Sequence, residues 1–199
     1  MSDMAVEIEP RKLTVAEYRR MGEVGILDED ERVELVDGAI VHMSPIGRPH
    51  RARHAYLVEY LIGALGGRAR VAGHYSLALG NFNEPEPHIL VLPSALELDL
   101  RDPEPHEVYA VIELADSSLH YDTRFKRDLY ARFAIAEYLV VDLSGGILLR
   151  HTQPRGGEFR AIERLSRGDH FRLLAVPDVD LDVDRFLPPP GVPVDEKDR

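Results

Sequence analysis

Apolar residues recur along this chain at two spacings, every second position or every third and fourth, and the switches between them outline the fold. Thr14-Val15-Ala16-Glu17 has the spacing of a capping box and predicts a short helix from about Val15 to Met21. The stretch VELVDGAIVHM, Val33 to Met43, carries Asp37-Gly38 between apolar residues, which predicts a hairpin that Ser44-Pro45 ends. Pro49 opens a second helix from about His50 to Leu65, with Tyr56, Leu57, Tyr60, Leu61 and Ala64 at helical spacing and Gly66-Gly67 as its stop. Strands are expected at about 69–79, 88–93 and 108–114, the last containing YAVIEL, a nearly continuous apolar run with Glu113 at its end. From Tyr121 to Phe133 the period is helical again. Phe125, Leu129 and Phe133 form one stripe there, and Asp122, Lys126 and Tyr130 form the next, at the boundary of the buried face. Three further strands follow at 137–143, 147–151 and 158–165, with paired glycines at 145–146 and 156–157 as turns. This order predicts an α/β (α+β) fold, a mixed sheet with helices packed against it.

The chain has 199 residues and a mass of 22.4 kDa, which suits one domain. We place that domain at 13–187, after an N-terminal arm at 1–12 and before a proline- and charge-rich tail at 188–199. No apolar run approaches the roughly 20 residues a membrane helix needs. The start, MSDMAVEIEP, lacks the pattern of a secretory signal, so a cytoplasmic location is expected. The absence of cysteine excludes disulfides, thiolate zinc sites and a cysteine nucleophile. A net charge of −11 argues against coating nucleic acid by bulk electrostatics, though a local basic cleft is compatible with it. Only three of the 24 basic residues are lysines, Lys12, Lys126 and Lys197, which makes Lys126 an unusual choice inside the fold.

Chemistry-bearing residues concentrate at the predicted strand ends. EPEPHILV sets His88 at the start of one strand, Glu113 ends another, and Lys126 follows thirteen residues later on a helix. A carboxylate and a second ligand can hold a divalent ion, and a nearby ammonium can steady an oxyanion. The plainer alternative is a strand-end carboxylate and an Asp122–Lys126 pair at i, i+4. His50 and His54 have the spacing of a zinc grip, but without a third ligand a role in orienting the cleft or bonding a loop is preferred. Arg48, Arg51 and Arg53 form the densest positive patch, suited to phosphates or to a solvated helix face. Ser117 and Ser118 lack a nucleophile elbow and read as helix-start hydrogen-bonding residues; no phosphate-binding loop is present.

NEPEPHILV, then VIELADSSLHYDTRFKRDLYARFAIAEYLVVD, and earlier ELVDGAIVHMSP followed by His50, resemble the Uma-type restriction-endonuclease-like family of the PD-(D/E)XK nuclease superfamily. The resemblance spans about Leu13 to Leu187. It implies a restriction-endonuclease-like fold, hydrolysis of nucleic-acid phosphodiesters, and a bound Mg²⁺ or Mn²⁺. Position by position, Glu113 matches the metal-binding carboxylate and Lys126 the lysine moved from strand to helix, Ala115 standing where that lysine is usual. Glu34 matches an acidic residue of the first hairpin, and Asp122 and Tyr130 match residues flanking the lysine. His88 stands where the motif has Asp, as the second metal ligand, and an imidazole there favours Mn²⁺ over Mg²⁺. Glu86 is a candidate to replace the lost carboxylate. Ala134, Ala136 and Leu139 depart from the usual glycine, proline and tryptophan, which concerns packing. The implied partner is nucleic acid, DNA ahead of RNA, and a homodimer is expected by analogy. A second reading is a nuclease fold that binds without cutting.

Overall fold

The computed structural model describes residues 10–28, 30–43 and 47–191, so the stop assigned to Ser44-Pro45 lies outside the described residues. Helix α1, Val15–Glu23, starts on the capping box read from the sequence: the Glu17 amide donates to the Thr14 hydroxyl, and the Thr14 amide to the Glu17 carboxylate. Strands β1, Val33–Val36, and β2, Ala39–His42, pair antiparallel around Asp37-Gly38. Both turn residues have positive φ, 48° and 80°, the conformation that an Asp-Gly pair adopts in a tight hairpin.

Helix α2, Arg48–Leu65, leads into a six-stranded sheet of order β3-β4-β5-β6-β7-β8. Its strands are Ala69–Gly73, Ile89–Pro93, Ala110–Ala115, Glu137–Asp142, Ile147–Arg155 and Glu158–Leu165. Only β5 and β6 run parallel, joined by the helical segment that carries Lys126. A crossover of this kind is what a parallel pair requires. Alternate residues of the strands feed two cores. Ile89, Val91, Ile112, Leu114 and Leu139 pack with Leu57, Leu61 and Leu65 of α2. On the opposite face Leu90, Val111, Tyr138 and Val140 pack with Leu129, Tyr130 and Ala131 of helix α3, Arg127–Arg132. Each fully buried leucine contributes about 1.5–3 kcal/mol. Among the described residues, no helix is long and apolar enough to cross a membrane.

Three expectations need correction. The strand expected at 69–79 ends at Gly73, because His74 takes a positive φ of 49° and turns the chain out of the sheet. A hairpin absent from the sequence reading, β9 (His170–Leu173) with β10 (Val176–Asp182), covers the α2 face with Phe171, Val179 and Leu181. The helix expected at Tyr121–Phe133 is a π-helix over Tyr121–Lys126 that passes into α3. Within it Phe125 leaves the expected apolar stripe and is 45% exposed, Leu129 stays in the core, and Asp122, Lys126 and Tyr130 are buried as well. Exposing one phenylalanine costs at most about 3 kcal/mol. A buried Glu113 without a countercharge costs more, so the polar stripe turns inward.

Candidate functional site

Glu113 sits near the end of β5 on the α3 side of the sheet, fully buried. Both its oxygens are engaged. Oε1 accepts from Lys126 Nζ at 2.9 Å and, more loosely, from the Tyr130 hydroxyl at 3.4 Å. Oε2 accepts from the His88 amide at 3.1 Å and faces His88 Nδ1 in a short contact. A carboxylate can only accept, so Nδ1 carries a hydrogen. The Leu114 amide also points at Nδ1 from 3.3 Å, but a nitrogen already donating its hydrogen has no lone pair to offer it. His88 therefore spends Nδ1 on Glu113 and keeps Nε2, and its ring lines a cleft of about 300 Å³.

Lys126 lies between two carboxylates. Beyond Glu113 it reaches Glu34 Oε2 at 3.3 Å. Glu34, on β1, also accepts from the Tyr121 hydroxyl at 2.9 Å and the Glu86 amide at 3.4 Å. Burial pulls the Lys126 ammonium down, but Glu113, Tyr130 and Glu34 outweigh it and hold its pKa well above the ordinary value. For Glu113 burial pushes up, and Lys126 and His88 together hold the carboxyl well below the usual range. Asp122 goes the other way. Burial first and the Glu113 charge second raise it to about 7, while the Ser118 hydroxyl donates to it at 2.6 Å. That bond is side chain to side chain, so Ser118 steadies Asp122 instead of capping the helix backbone as expected. The Asp122–Lys126 pair expected at i, i+4 gives way to Lys126–Glu113, since the π-helical turn carries the ammonium to the sheet.

The four residues expected to act together, His88, Glu113, Lys126 and Glu34, thus converge from β4's entry, β5, the π-helix and β1. The other candidates are placed elsewhere. Glu86 turns its carboxylate to His74 Nδ1 at 3.1 Å, so it does not stand in for a carboxylate at position 88. His50 Nε2 bonds the Leu114 carbonyl at 2.9 Å and His54 Nε2 the His88 carbonyl at 2.8 Å, so the pair does not grip zinc. Burial, and then His88 nearby, lower His50 to about 4, and its Nδ1 is buried without a partner among the described residues. Arg53 stacks its guanidinium over Tyr56, 4.8 Å from the ring centroid, and bonds the Arg185 carbonyl. Tyr121, which bonds Glu34, and Arg32, His42 and Met43, which line the cleft, escaped the sequence reading. Tyr121 had a legible signal, since it precedes Asp122 at the head of the polar stripe.

A hard divalent ion, which the resemblance implies, needs several oxygen ligands free to turn toward it. Glu113 has both oxygens covered by N–H and O–H donors, Glu34 likewise, and the Lys126 ammonium fills the space between them. Among the described residues no group of three or more His, Cys, Asp or Glu has the disposition to hold a metal ion. As arranged, these residues do not fit Mg²⁺ or Mn²⁺.

A family model, Uma2, described as "Putative restriction endonuclease", matches residues 15–184. No curated protein matches the chain. Among solved structures, a crystal structure described as a putative nuclease belonging to DUF820 from Anabaena variabilis ATCC 29413 is similar in fold, with a TM-score of 0.69 at 12% identity. The alignment covers 87% of this chain and 97% of that one.

Proposed function

The chain belongs to the Uma2 family, and we propose that it is a nuclease-fold phosphodiesterase that takes a nucleic-acid strand into the cleft over Glu113. The observation that carries this reading is the convergence of four segments on one buried ionic cluster beneath that cleft: Glu34, His88, Glu113 and Lys126. Strongly perturbed groups beneath a cleft, here Glu113 and Lys126, are where chemistry concentrates.

Each residue has a role that its contacts support. Lys126 donates to Glu113 and is ion-paired with Glu34, and a remaining N–H serves a non-bridging phosphate oxygen as charge builds there. Glu34 and Glu113 keep that ammonium charged and fixed, so the donor needs no rearrangement when the substrate reacts. Glu113 also orients His88. The Ser117–Ser118 turn and Tyr121 form the walls.

Strand scission tests the reading. Supercoiled DNA, linear DNA and single-stranded RNA are incubated with the protein in EDTA and, separately, in Mg²⁺ and in Mn²⁺. At least one substrate is cut, and Glu113→Gln, checked for native circular dichroism, lowers the rate about 100-fold or more by releasing the groups it positions. Absence of scission in every combination, or an undiminished Glu113→Gln enzyme, defeats the proposal. Specific binding without scission would favour the non-cutting alternative.

A further inference from the structure

We propose that His88, held by Glu113, is a general base that opens ribose phosphodiesters of single-stranded RNA without a divalent ion. The inference rests on the phosphodiesterase reading above and deepens it by naming a base, a nucleophile and a substrate class. Its premise is geometric. Both Glu113 oxygens are filled by donors, and the Lys126 ammonium pairs with Glu34 as well as Glu113, so neither carboxylate is free to turn toward an ion. The same carboxylate that is closed to a metal fixes the His88 tautomer: Nδ1 donates to Glu113 Oε2, which leaves the Nε2 lone pair on a ring that lines the cleft. A carboxylate behind an imidazole whose far nitrogen meets the substrate is the arrangement of an oriented base.

A base of this kind, with no ion to turn water into hydroxide at neutral pH, works best on a nucleophile already tethered beside the phosphorus. The 2′-hydroxyl of RNA is such a group, and tethering supplies much of the barrier reduction. Nε2 takes the proton of the 2′-hydroxyl, the O2′–P bond forms, and the P–O5′ bond breaks with its electron pair leaving on O5′. O5′ takes a proton from water, and the hydroxide left behind takes the proton back from His88, so the step balances without a co-reactant beyond water. The products end in a 2′,3′-cyclic phosphate and a 5′-hydroxyl. Lys126 meets the charge on the phosphorane. A single strand is favoured because in-line attack needs a backbone free to splay. An aromatic platform also adjoins the cleft: Tyr121, a wall residue, stacks on Phe125 at 5.4 Å and 7°, and Phe125 is 45% exposed.

The experiment follows a labelled single-stranded RNA and its all-deoxy counterpart in EDTA, then with Mn²⁺ or Mg²⁺ added. RNA is cut in EDTA to fragments with cyclic phosphate ends, and the deoxy strand is not. His88→Asn, whose side-chain amide can still donate to Glu113, lowers kcat at least about 100-fold, with native circular dichroism and unchanged binding of the deoxy strand. Cutting that appears only on adding an ion, equal cutting of the deoxy strand, or a fully active His88→Asn protein overturns the inference while leaving the phosphodiesterase reading standing. Absence of cutting under every condition overturns both.

Discussion

Lys126→Met keeps the length of the side chain and removes its charge from a place where two carboxylates depend on it. Lys126 is 3% exposed and Glu113 fully buried, so solvent screens the interaction little. Breaking a buried pair by deleting one partner costs about 3–5 kcal/mol, chiefly because the remaining charge is left unpaired. For a chain of this size that is a drop in Tm of about 6–20 °C. The pH dependence identifies the cause. In the natural protein Lys126 and His88 outweigh burial and hold Glu113 below its unfolded value, so its contribution is present above the unfolded pKa and is lost as pH falls through the folded one. In the variant burial is opposed only by the contacts of His88 and Tyr130, Glu113 moves up, and protonation relieves the cost. The difference between the two proteins therefore shrinks toward acid. Guanidinium unfolding followed by circular dichroism at pH 8 and pH 5 measures it, and the Glu113→Gln/Lys126→Met double variant closes the cycle with a coupling of about 1–3 kcal/mol. A loss under about 1 kcal/mol at pH 8, or simple additivity in the cycle, would refute the claim that Lys126 is held there by the carboxylates.

Asp122→Asn is expected to act with the opposite sign. Because the folded carboxyl is raised from 3.8 to about 7 by burial and Glu113, its stabilising contribution is complete below the unfolded value and is lost as pH rises through about 7. The variant gains on the natural protein across that window, by an amount on the order of 4 kcal/mol, and the gap then stays level; a gap that does not change with pH between 4 and 8 would count against this. Gly38→Ala places a methyl 2.5 Å from the Lys12 Cβ at a φ of 80° and should cost about 1–3 kcal/mol in thermal unfolding. An unchanged Tm would show that the hairpin turn relaxes freely.

What the sequence revealed and what it hid divide along a physical line. Features set within a few residues were legible: the capping box at Thr14, the Asp37-Gly38 turn, and the stop at Gly66, whose left-handed backbone (φ 55°) caps α2. The family resemblance brought Glu34, His88, Glu113 and Lys126 together, and the described geometry places them in contact. Features decided by distant partners were not legible. Periodicity assigned Phe125 inward because apolar residues usually go there, yet the deciding term is Glu113, twelve residues away, whose need for a cation turns Lys126 to the sheet. The β9–β10 hairpin did carry a local signal, since Phe171 and Leu173, and then Val179 and Leu181, alternate with charged residues, but each alternating run is only three or four residues long.

The histidines show how one spacing can serve a purpose other than the one it suggests. His50 and His54, one turn apart on α2, hold no ion between them. Each gives its Nε2 hydrogen to a backbone carbonyl, one on Leu114 beside Glu113 and the other on His88. The two acceptors lie on the segments that bring the carboxylate and the imidazole together, so α2 fastens both from one side while the π-helix supplies Lys126 from the other. Donation through Nε2 requires these two rings to accept at Nδ1, and burial keeps the pKa of both below the ordinary value. Neither then adds positive charge beside His88. The positive charge among these contacts is then that of Lys126, set against Glu34 and Glu113, while His88 meets Glu113 through Nδ1.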